Sequence, residues 1–119
     1  MKPQFIWNTY GDWMATLVDR FIWDTGGSWI GWIDGENVYT TDGEWIGTLS
    51  RDSRIIRRRS DKRPPLRTDV PAKPAKPELP GRPPLPPTFG DLGYSHFDVL
   101  EEDPETFKRL SDRRKDMGD

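Results

Sequence analysis

Residues 5–52 consist of three sixteen-residue copies that follow one another without insertion. They read FIWNTYGDWMATLVDR, FIWDTGGSWIGWIDGE and NVYTTDGEWIGTLSRD. Four columns recur, namely an aromatic at Trp7, Trp23 and Tyr39, a glycine at Gly11, Gly27 and Gly43, a tryptophan at Trp13, Trp29 and Trp45, and a small residue at Ala15, Gly31 and Gly47. Self-similarity at a fixed period indicates one supersecondary unit, repeated because no copy can bury its own apolar face.

Each copy predicts one β-hairpin. A short β-forming run comes first, and a turn follows in which Asn, Asp or Thr precedes glycine; an Asx side chain can hydrogen-bond its own backbone, and glycine adopts positive φ at no steric cost. The second run alternates, so that Trp29, Gly31 and Ile33 share one face. We expect an aromatic of a neighbouring copy to fill the notch at Gly31. Because short hairpins are marginal alone, we also expect the copies to close around a shared aromatic core.

A fourth copy, residues 53–68, is degraded. Ile55 and Ile56 fit its first strand, but Arg59 replaces the glycine and Asp61 replaces the tryptophan. Two alternatives remain open at this point: the array ends on a lone strand, or a partner supplies the missing hairpin.

The stretch FIWDTGGSWIGWIDGENVYTTDGEWIG resembles the small bacterial proteins of the four-fold β-flower family, and the resemblance covers about residues 5–56. It implies a pseudo-four-fold ring of hairpins and brings no established chemistry with it.

The predicted fold class is all-β, a small pseudo-symmetric ring or meander of short antiparallel hairpins, followed by an extended polyproline arm and a short C-terminal helix. All six tryptophans precede residue 46, whereas ten of the twelve prolines lie between Pro64 and Pro87. We therefore divide the chain into a β-hairpin repeat domain (1–56), a basic linker (57–70), a polyproline II arm (71–89) and a C-terminal tail (90–119) with a helix over about 104–115.

The net charge of −2 is unevenly distributed, since residues 51–82 carry eleven basic and four acidic side chains. Such a cluster can neutralise phosphates. Nucleic-acid binding is therefore an alternative function; the candidate residues are Arg54, Arg57, Arg58, Arg59, Lys62 and Arg63. A solvated, charged edge that keeps the sheet from pairing with other chains explains the same residues.

The prolines of the arm recur every three residues from Pro71 to Pro86. Polyproline II has three residues per turn, so these rings fall along one edge. The arm is either a semi-rigid spacer or a docked ligand for an aromatic-lined groove, on the chain's own tryptophan-rich domain or on another protein. The candidate protein-binding residues are Pro74, Pro77, Leu79, Pro80, Arg82, Pro83, Leu85, Pro86 and Phe89, together with Phe107 and Leu110 of the tail.

The tail contains two helix-start patterns. Ser95 with Asp98 three residues later resembles a capping box. Asp103, Pro104 and Glu105 are typical of the N-cap, first-turn proline and acidic first turn of a helix.

Several chemistries are excluded or disfavoured. There is no cysteine, hence no disulfide, thiolate ligand or cysteine nucleophile, and a single histidine makes a metal site unexpected. Nothing in the sequence indicates that His96, Ser95 and Asp98 converge as a triad. We expect no enzyme activity, no cofactor, no membrane span and a cytoplasmic location.

The main functional hypothesis is a non-catalytic protein-interaction protein or accessory subunit. Its β head would dock on one surface of a larger protein or complex, and its arm and helix would wrap another. Besides nucleic-acid binding, a further alternative is small-molecule or glycan binding, which requires some of Trp23, Trp32 and Tyr39 to be exposed around a concave patch.

Overall fold

Eight short strands follow one another as an antiparallel meander in the computed structural model, which describes residues 3–107. Each strand pairs with the next, and the sheet curves into a half-barrel. The strands are β1 (Gln4–Trp7), β2 (Trp13–Val18), β3 (Phe21–Asp24), β4 (Trp29–Asp34), β5 (Asn37–Thr40), β6 (Trp45–Leu49), β7 (Ile55–Arg58) and β8 (His96–Asp98), and one short helix, α1 (Val99–Glu102), follows. The prediction of an all-β hairpin meander is confirmed.

The three hairpins of the repeat share their local geometry. Each carries a β-bulge at the equivalent place, immediately before the buried aromatic of its first strand. In each turn a polar side chain accepts a hydrogen bond from the backbone four residues on, as Asp24 Oδ1 does from Ser28 N at 2.8 Å. The turn glycine has a positive φ, +94° at Gly27. The predicted Asx–Gly turns are therefore confirmed.

The fourth hairpin consists of β7 and β8, although residues 59–95 separate them in the sequence. Its register reveals one additional residue in the β6–β7 connection. The equivalent cross-strand pairs are Leu17–Ile22, Ile33–Val38 and Leu49–Ile55. A strict period of sixteen would place Arg54 opposite Leu49. Because Ile55 lies there instead, and because the chain's own β8 pairs with β7, both the lone strand and the hairpin supplied by a partner are wrong.

The centre of the fold is aliphatic rather than aromatic. The equivalent residues Ile6, Ile22, Val38 and Ile55 are all 0% exposed, and they belong to one cluster with residues of α1. Trp13, Trp29 and Trp45 are only half-buried. The other aromatic column of the repeat, Trp7, Trp23 and Tyr39, is buried, but it lies outside the aliphatic cluster. The expectation that aromatics form the shared centre is therefore wrong, because β-branched side chains fill the narrow centre of four short hairpins better than bulky indoles do.

The notch at Gly31 exists, but a distant residue fills it. A Cβ atom on Gly31 would lie 2.8 Å from Cε1 of Phe107 and 2.5 Å from the carbonyl oxygen of Tyr39. At the equivalent Gly47, the carbonyl oxygen of Ile56 occupies the space at 2.5 Å from such an atom. The expectation that an aromatic of a neighbouring copy fills the notch is therefore wrong.

The tail enters the fold earlier than its sequence predicts. Asp98, not Ser95, is the N-cap of α1, and its side chain accepts hydrogen bonds from the amides of Leu100 and Glu101. Asp103 is the C-cap of α1 rather than the start of a second helix. Residues 104–107 form a turn, and the rest of the helix predicted over about 104–115, with Leu110, lies outside the described residues.

We predict that Gly31→Ala destabilises the protein because its new methyl group meets a backbone oxygen and the Phe107 ring. The expected loss in free energy of unfolding is about 1–3 kcal/mol, measured by chemical denaturation. Gly81→Ala is the matched control, since no atom lies within 4 Å of a Cβ there, and it should change stability by less than about 0.5 kcal/mol. Equal stability of the two variants would contradict the close packing at Gly31.

Candidate functional site

Residues 59–95, the connecting segment, lie against the chain's own head. The segment passes the glycine turns of the three repeat hairpins in reverse order; its contacts are Arg67 at Gly43, Lys76 at Gly27 and Pro86 at Gly11. The amide of Arg67 donates to the carbonyl oxygen of Gly43 at 2.9 Å. A Cβ atom on Gly11 would lie 3.3 Å from Cγ of Pro86. The sequence allows two docking sites for this segment, one on the chain's own head and one on another protein. In the structure, the segment lies in the groove on the chain's own head.

Burial along the connecting segment repeats every three residues. Pro71, Pro74, Pro77, Pro80 and Pro83 are half-buried. The residues between them are exposed, except for the half-buried Leu79. Between Pro71 and Pro83 this is the periodicity that the proline spacing predicts, but the predicted series continues to Pro86, which is exposed.

The three equivalent tryptophans line cavities between the head and this segment. The cavities measure about 310 Å³ at Trp13, 380 Å³ at Trp29 and 280 Å³ at Trp45. Prolines of the segment form part of each wall; they are Pro80, Pro74 and Pro64, respectively. The repeat thus generates three comparable grooves that one proline-rich segment crosses.

Arg67 fixes the start of the segment. Its guanidinium lies 5.1 Å from the ring centroid of Trp32 and 4.9 Å from that of Tyr39, and these two rings stack at 4.7 Å. The same group donates two hydrogen bonds to Asp69, at 2.7 and 2.5 Å, and one to Asp34 at 3.2 Å. The hydrogen bonds to Asp69 are the largest cause that raises the pKa of Arg67, and a hydrogen bond to Tyr39 is the second. Charge and stacking together hold the segment on the repeat face.

Arg54 fixes the other end of the segment. It is 2% exposed, and it donates to both carboxylate oxygens of Asp52, at 3.0 and 2.7 Å. Further bonds reach Thr9 Oγ1 at 3.0 Å and the carbonyl oxygen of Gly90 at 2.8 Å, and the Phe89 ring lies 5.0 Å away. One guanidinium therefore joins the first turn, the β6–β7 connection and the end of the segment.

The ion pair sets the acidity of Asp52. Burial alone would raise the pKa of this carboxyl group, but hydrogen bonds from Arg54, Ser50 and the amide of Gly90 outweigh burial and lower the pKa to about 2. The side chain of Asp52 is 20% exposed. The carboxylate is therefore ionised wherever the protein works near neutral pH.

Several of the cations proposed for nucleic-acid binding are engaged within the chain. Arg54 is buried, as described. Arg59 bonds to both carboxylate oxygens of Glu102, at 3.4 and 2.6 Å, and Arg63 lies 2.9 Å from a carboxylate oxygen of Glu44. Arg57 is half-buried and lies 5.1 Å from the Phe97 ring centroid.

The remaining two members of this set, Arg58 and Lys62, are exposed and form no salt bridge to a described residue. Nucleic-acid binding stays a prediction, which now depends on fewer free charges.

Two other arrangements are absent from the described residues: the exposed aromatic patch that one functional alternative requires, and a Ser–His–Asp triad, which nothing in the sequence indicates. Trp23 and Trp32 are 2% exposed and Tyr39 is 8% exposed, so the exposed aromatic patch predicted for a glycan or small-molecule binder is wrong. Ser95 Oγ lies 3.0 Å from His96 Nδ1, but Asp98 binds the amide and hydroxyl of Thr9 at 2.6 and 2.7 Å. These three residues form no triad.

The candidate protein-binding residues fall into two groups. Most of them face the head and are half-buried; these are Pro74, Pro77, Leu79, Pro80, Pro83, Phe89 and Phe107. Arg82, Leu85 and Pro86 are exposed, although Pro86 also contacts the head at Gly11. Sequence reasoning missed Arg67 and Asp52, because their partners lie far away in the chain or in an irregular connection, and only the opposite charges of Asp52 and Arg54 gave a local signal.

The fold defines the class of this protein: an all-β chain of four hairpins around an aliphatic centre, crossed by its own proline-rich segment. The chain belongs to the 4-fold beta flower protein family, whose family model matches residues 2–100. The match confirms the resemblance and extends it to β8, which completes the fourth hairpin. No curated protein and no solved structure matches the chain.

Between residues 3 and 107, no helix is long and apolar enough to cross a membrane, and no three His, Cys, Asp or Glu side chains cluster as metal ligands.

We predict a pH-dependent loss of stability in Asp52→Asn. At pH 7 the variant leaves the Arg54 guanidinium without its counter-charge, and we expect a cost of about 1–3 kcal/mol. The pKa of Asp52 is lower in the folded state than the ordinary aspartate value of 3.8, so its stabilising contribution is complete above that value and is lost as the pH falls toward 2. The difference between wild type and variant should therefore shrink between pH 5 and pH 2 in chemical denaturation. Glu36→Gln, at an exposed carboxylate, serves as control; a difference that stays constant with pH would refute the pair's role.

We predict that Arg67→Ala lowers the melting temperature by several degrees and weakens the near-ultraviolet circular dichroism of Trp32 and Tyr39. Arg67→Lys should restore less than half of the loss, because an ammonium lacks the planar fork that binds Asp69 and stacks on rings. Arg51→Ala, at an exposed arginine, is the control. Identical melting of the alanine variants at 51 and 67 would show that Arg67 does not anchor the segment.

Proposed function

We propose that the protein is a non-catalytic interaction protein or accessory subunit that presents a proline-rich ligand to another protein. The observation that carries this proposal is the 90% exposure of Leu85 within the stretch Pro83–Pro87. Apolar residues scattered singly on a surface are ordinary. Leu85 is different, because prolines flank it on both sides and the connecting segment is attached to the head before and after it.

The two attachments hold the stretch in place. On one side, Leu79 Cδ1 lies 3.9 Å from the position of a Cβ on Gly27. On the other side, Phe89 packs beneath the Arg54 guanidinium. A stretch that is extended before it binds loses little conformational entropy in the complex, which favours affinity. Proline-rich sequence adds to this stiffness, and we propose a polyproline II conformation for the stretch.

The chemistry of the stretch defines the partner. Polyproline ligands dock into grooves lined by aromatic side chains, where proline rings and an intervening apolar side chain fill successive pockets. Arg82 adds a positive charge at the beginning of the stretch. We therefore propose a larger protein or complex with an aromatic groove bordered by acidic residues. The β head then serves as the rigid scaffold that displays the ligand, and the contact falls on the exposed stretch because the segment itself already crosses the head's tryptophan grooves.

We predict that a photo-crosslinking amino acid at position 85 of the full chain, expressed at its native level, captures one defined protein. The same amino acid at the exposed position of Glu78, on the same segment, should capture it with much lower yield. Leu85→Asp should abolish the complex without lowering the melting temperature, because Leu85 makes little contact with the head.

The proposal fails if positions 78 and 85 capture the same set of proteins equally, or if Leu85→Asp leaves the complex intact.

A further inference from the structure

We propose that the groove at Trp29 binds a small phosphorylated ligand with a flat ring, of which a nucleoside diphosphate is the simplest example. The groove is a cavity of about 380 Å³ between the second repeat hairpin and the connecting segment. Small-ligand sites typically measure about 300–1,000 Å³. This inference is independent of the proline-rich stretch around Leu85.

A comparison of the three equivalent grooves singles out this one by charge. The wall at Trp13 contains Asp24 and Lys76, and the wall at Trp45 contains Asp61 and Lys62. Each of these two grooves balances a cation with an acid. The wall at Trp29 contains Lys73 and Lys76 and no acidic side chain. The repeat thus supplies a common shape, and the connecting segment gives only the middle groove of the three a double positive charge.

Neither lysine is held by an ion pair among the described residues, although Lys76 also lines the Trp13 groove together with Asp24. In contrast, a salt bridge holds each of Arg54, Arg59, Arg63 and Arg67. Lys76 also approaches the Gly27 turn closely, since a Cβ on that glycine would lie 2.6 Å from Nζ. An ammonium group is a compact point charge that binds phosphate oxygens well. Two of them in one wall suit a diphosphate.

The opposite wall offers a fixed aromatic surface. The indole nitrogen of Trp29 donates to the carbonyl oxygen of Gly31 at 2.7 Å, and Phe21 contacts the indole edge to face with ring centroids 6.3 Å apart. These two contacts hold the half-buried ring in one orientation. Flat heterocycles stack on such rings largely regardless of their substituents. Ser28 and Thr41 add hydroxyl groups to the wall, which can bond to ribose or phosphate oxygens.

The test is titration of the full chain with ADP, adenosine and pyrophosphate, followed by calorimetry and tryptophan fluorescence. We expect ADP to bind more tightly than either fragment, because the ring and the phosphates each contribute. The double variant Lys73→Gln, Lys76→Gln should weaken ADP binding at least about tenfold, since it removes two charge-assisted contacts. Lys73→Arg with Lys76→Arg should largely retain the affinity, which also shows that the fold tolerates changes at both positions.

Arg82→Gln is the matched control, because Arg82 is an exposed cation of the same segment outside the wall. It should bind ADP like the wild type. The proposal is overturned if ADP does not bind at millimolar concentration, or if Arg82→Gln weakens binding as much as the double variant, which would indicate general attraction to a basic surface. If pyrophosphate binds as tightly as ADP, the Trp29 ring contributes nothing to binding and its proposed role is wrong. If adenosine binds as tightly as ADP, the proposed role of the two lysines is wrong.

Discussion

A two-stranded hairpin buries too little apolar surface to be stable by itself, and every level of this structure follows from that constraint. Each hairpin contributes an equivalent aliphatic residue to a common centre, and these four, Ile6, Ile22, Val38 and Ile55, lie there without contact with water. The fourth of these residues, Ile55, belongs to β7, and β7 needs a second strand to form a hairpin. The chain supplies that strand from residues 96–98. Closing the array therefore requires a long connection, and the connecting segment is that connection.

The long connection imposes a conformational cost that polar and aromatic contacts at its two ends offset. Arg67 binds the stacked pair Trp32 and Tyr39 at the start, and Arg54 binds Asp52 and the carbonyl oxygen of Gly90 at the end. Between these points, proline reduces the entropy that the segment loses on folding. Much of the basic character visible in the sequence thus serves internal attachment. Lys73, Lys76 and Leu85 keep exposed side chains although the segment contacts the head beside them, and for this reason both proposals involve these residues.

The sequence predicts the hairpins because their information is local. A polar residue, a positive-φ glycine and an alternating run occur within each copy of sixteen residues, so their spacing alone identifies the Asx–Gly turns and the strands beside them.

Register in the fourth copy could not be predicted, because one inserted residue moves Ile55 into the place that the period assigns to Arg54. The contact of Phe107 with Gly31 and that of Pro86 with Gly11 join residues more than seventy positions apart. No local pattern encodes such contacts. The aromatic repeat also suggests an aromatic centre, whereas β-branched residues pack better in the space available there. The candidate binding residues were found by proline spacing, but their division into head-facing and exposed groups required the fold.

The function proposed for the connecting segment depends on its position against the chain's own head. A nuclear Overhauser experiment on the uniformly labelled full chain tests this placement, because it gives cross-peaks only between protons that lie close together in space. We expect cross-peaks between the Gly11 α-protons and the Pro86 ring, between Gly27 and the Leu79 methyl groups, and between Gly31 and the Phe107 ring. Sharp, random-coil resonances for residues 71–87 with none of these cross-peaks would show that the segment does not lie on the head.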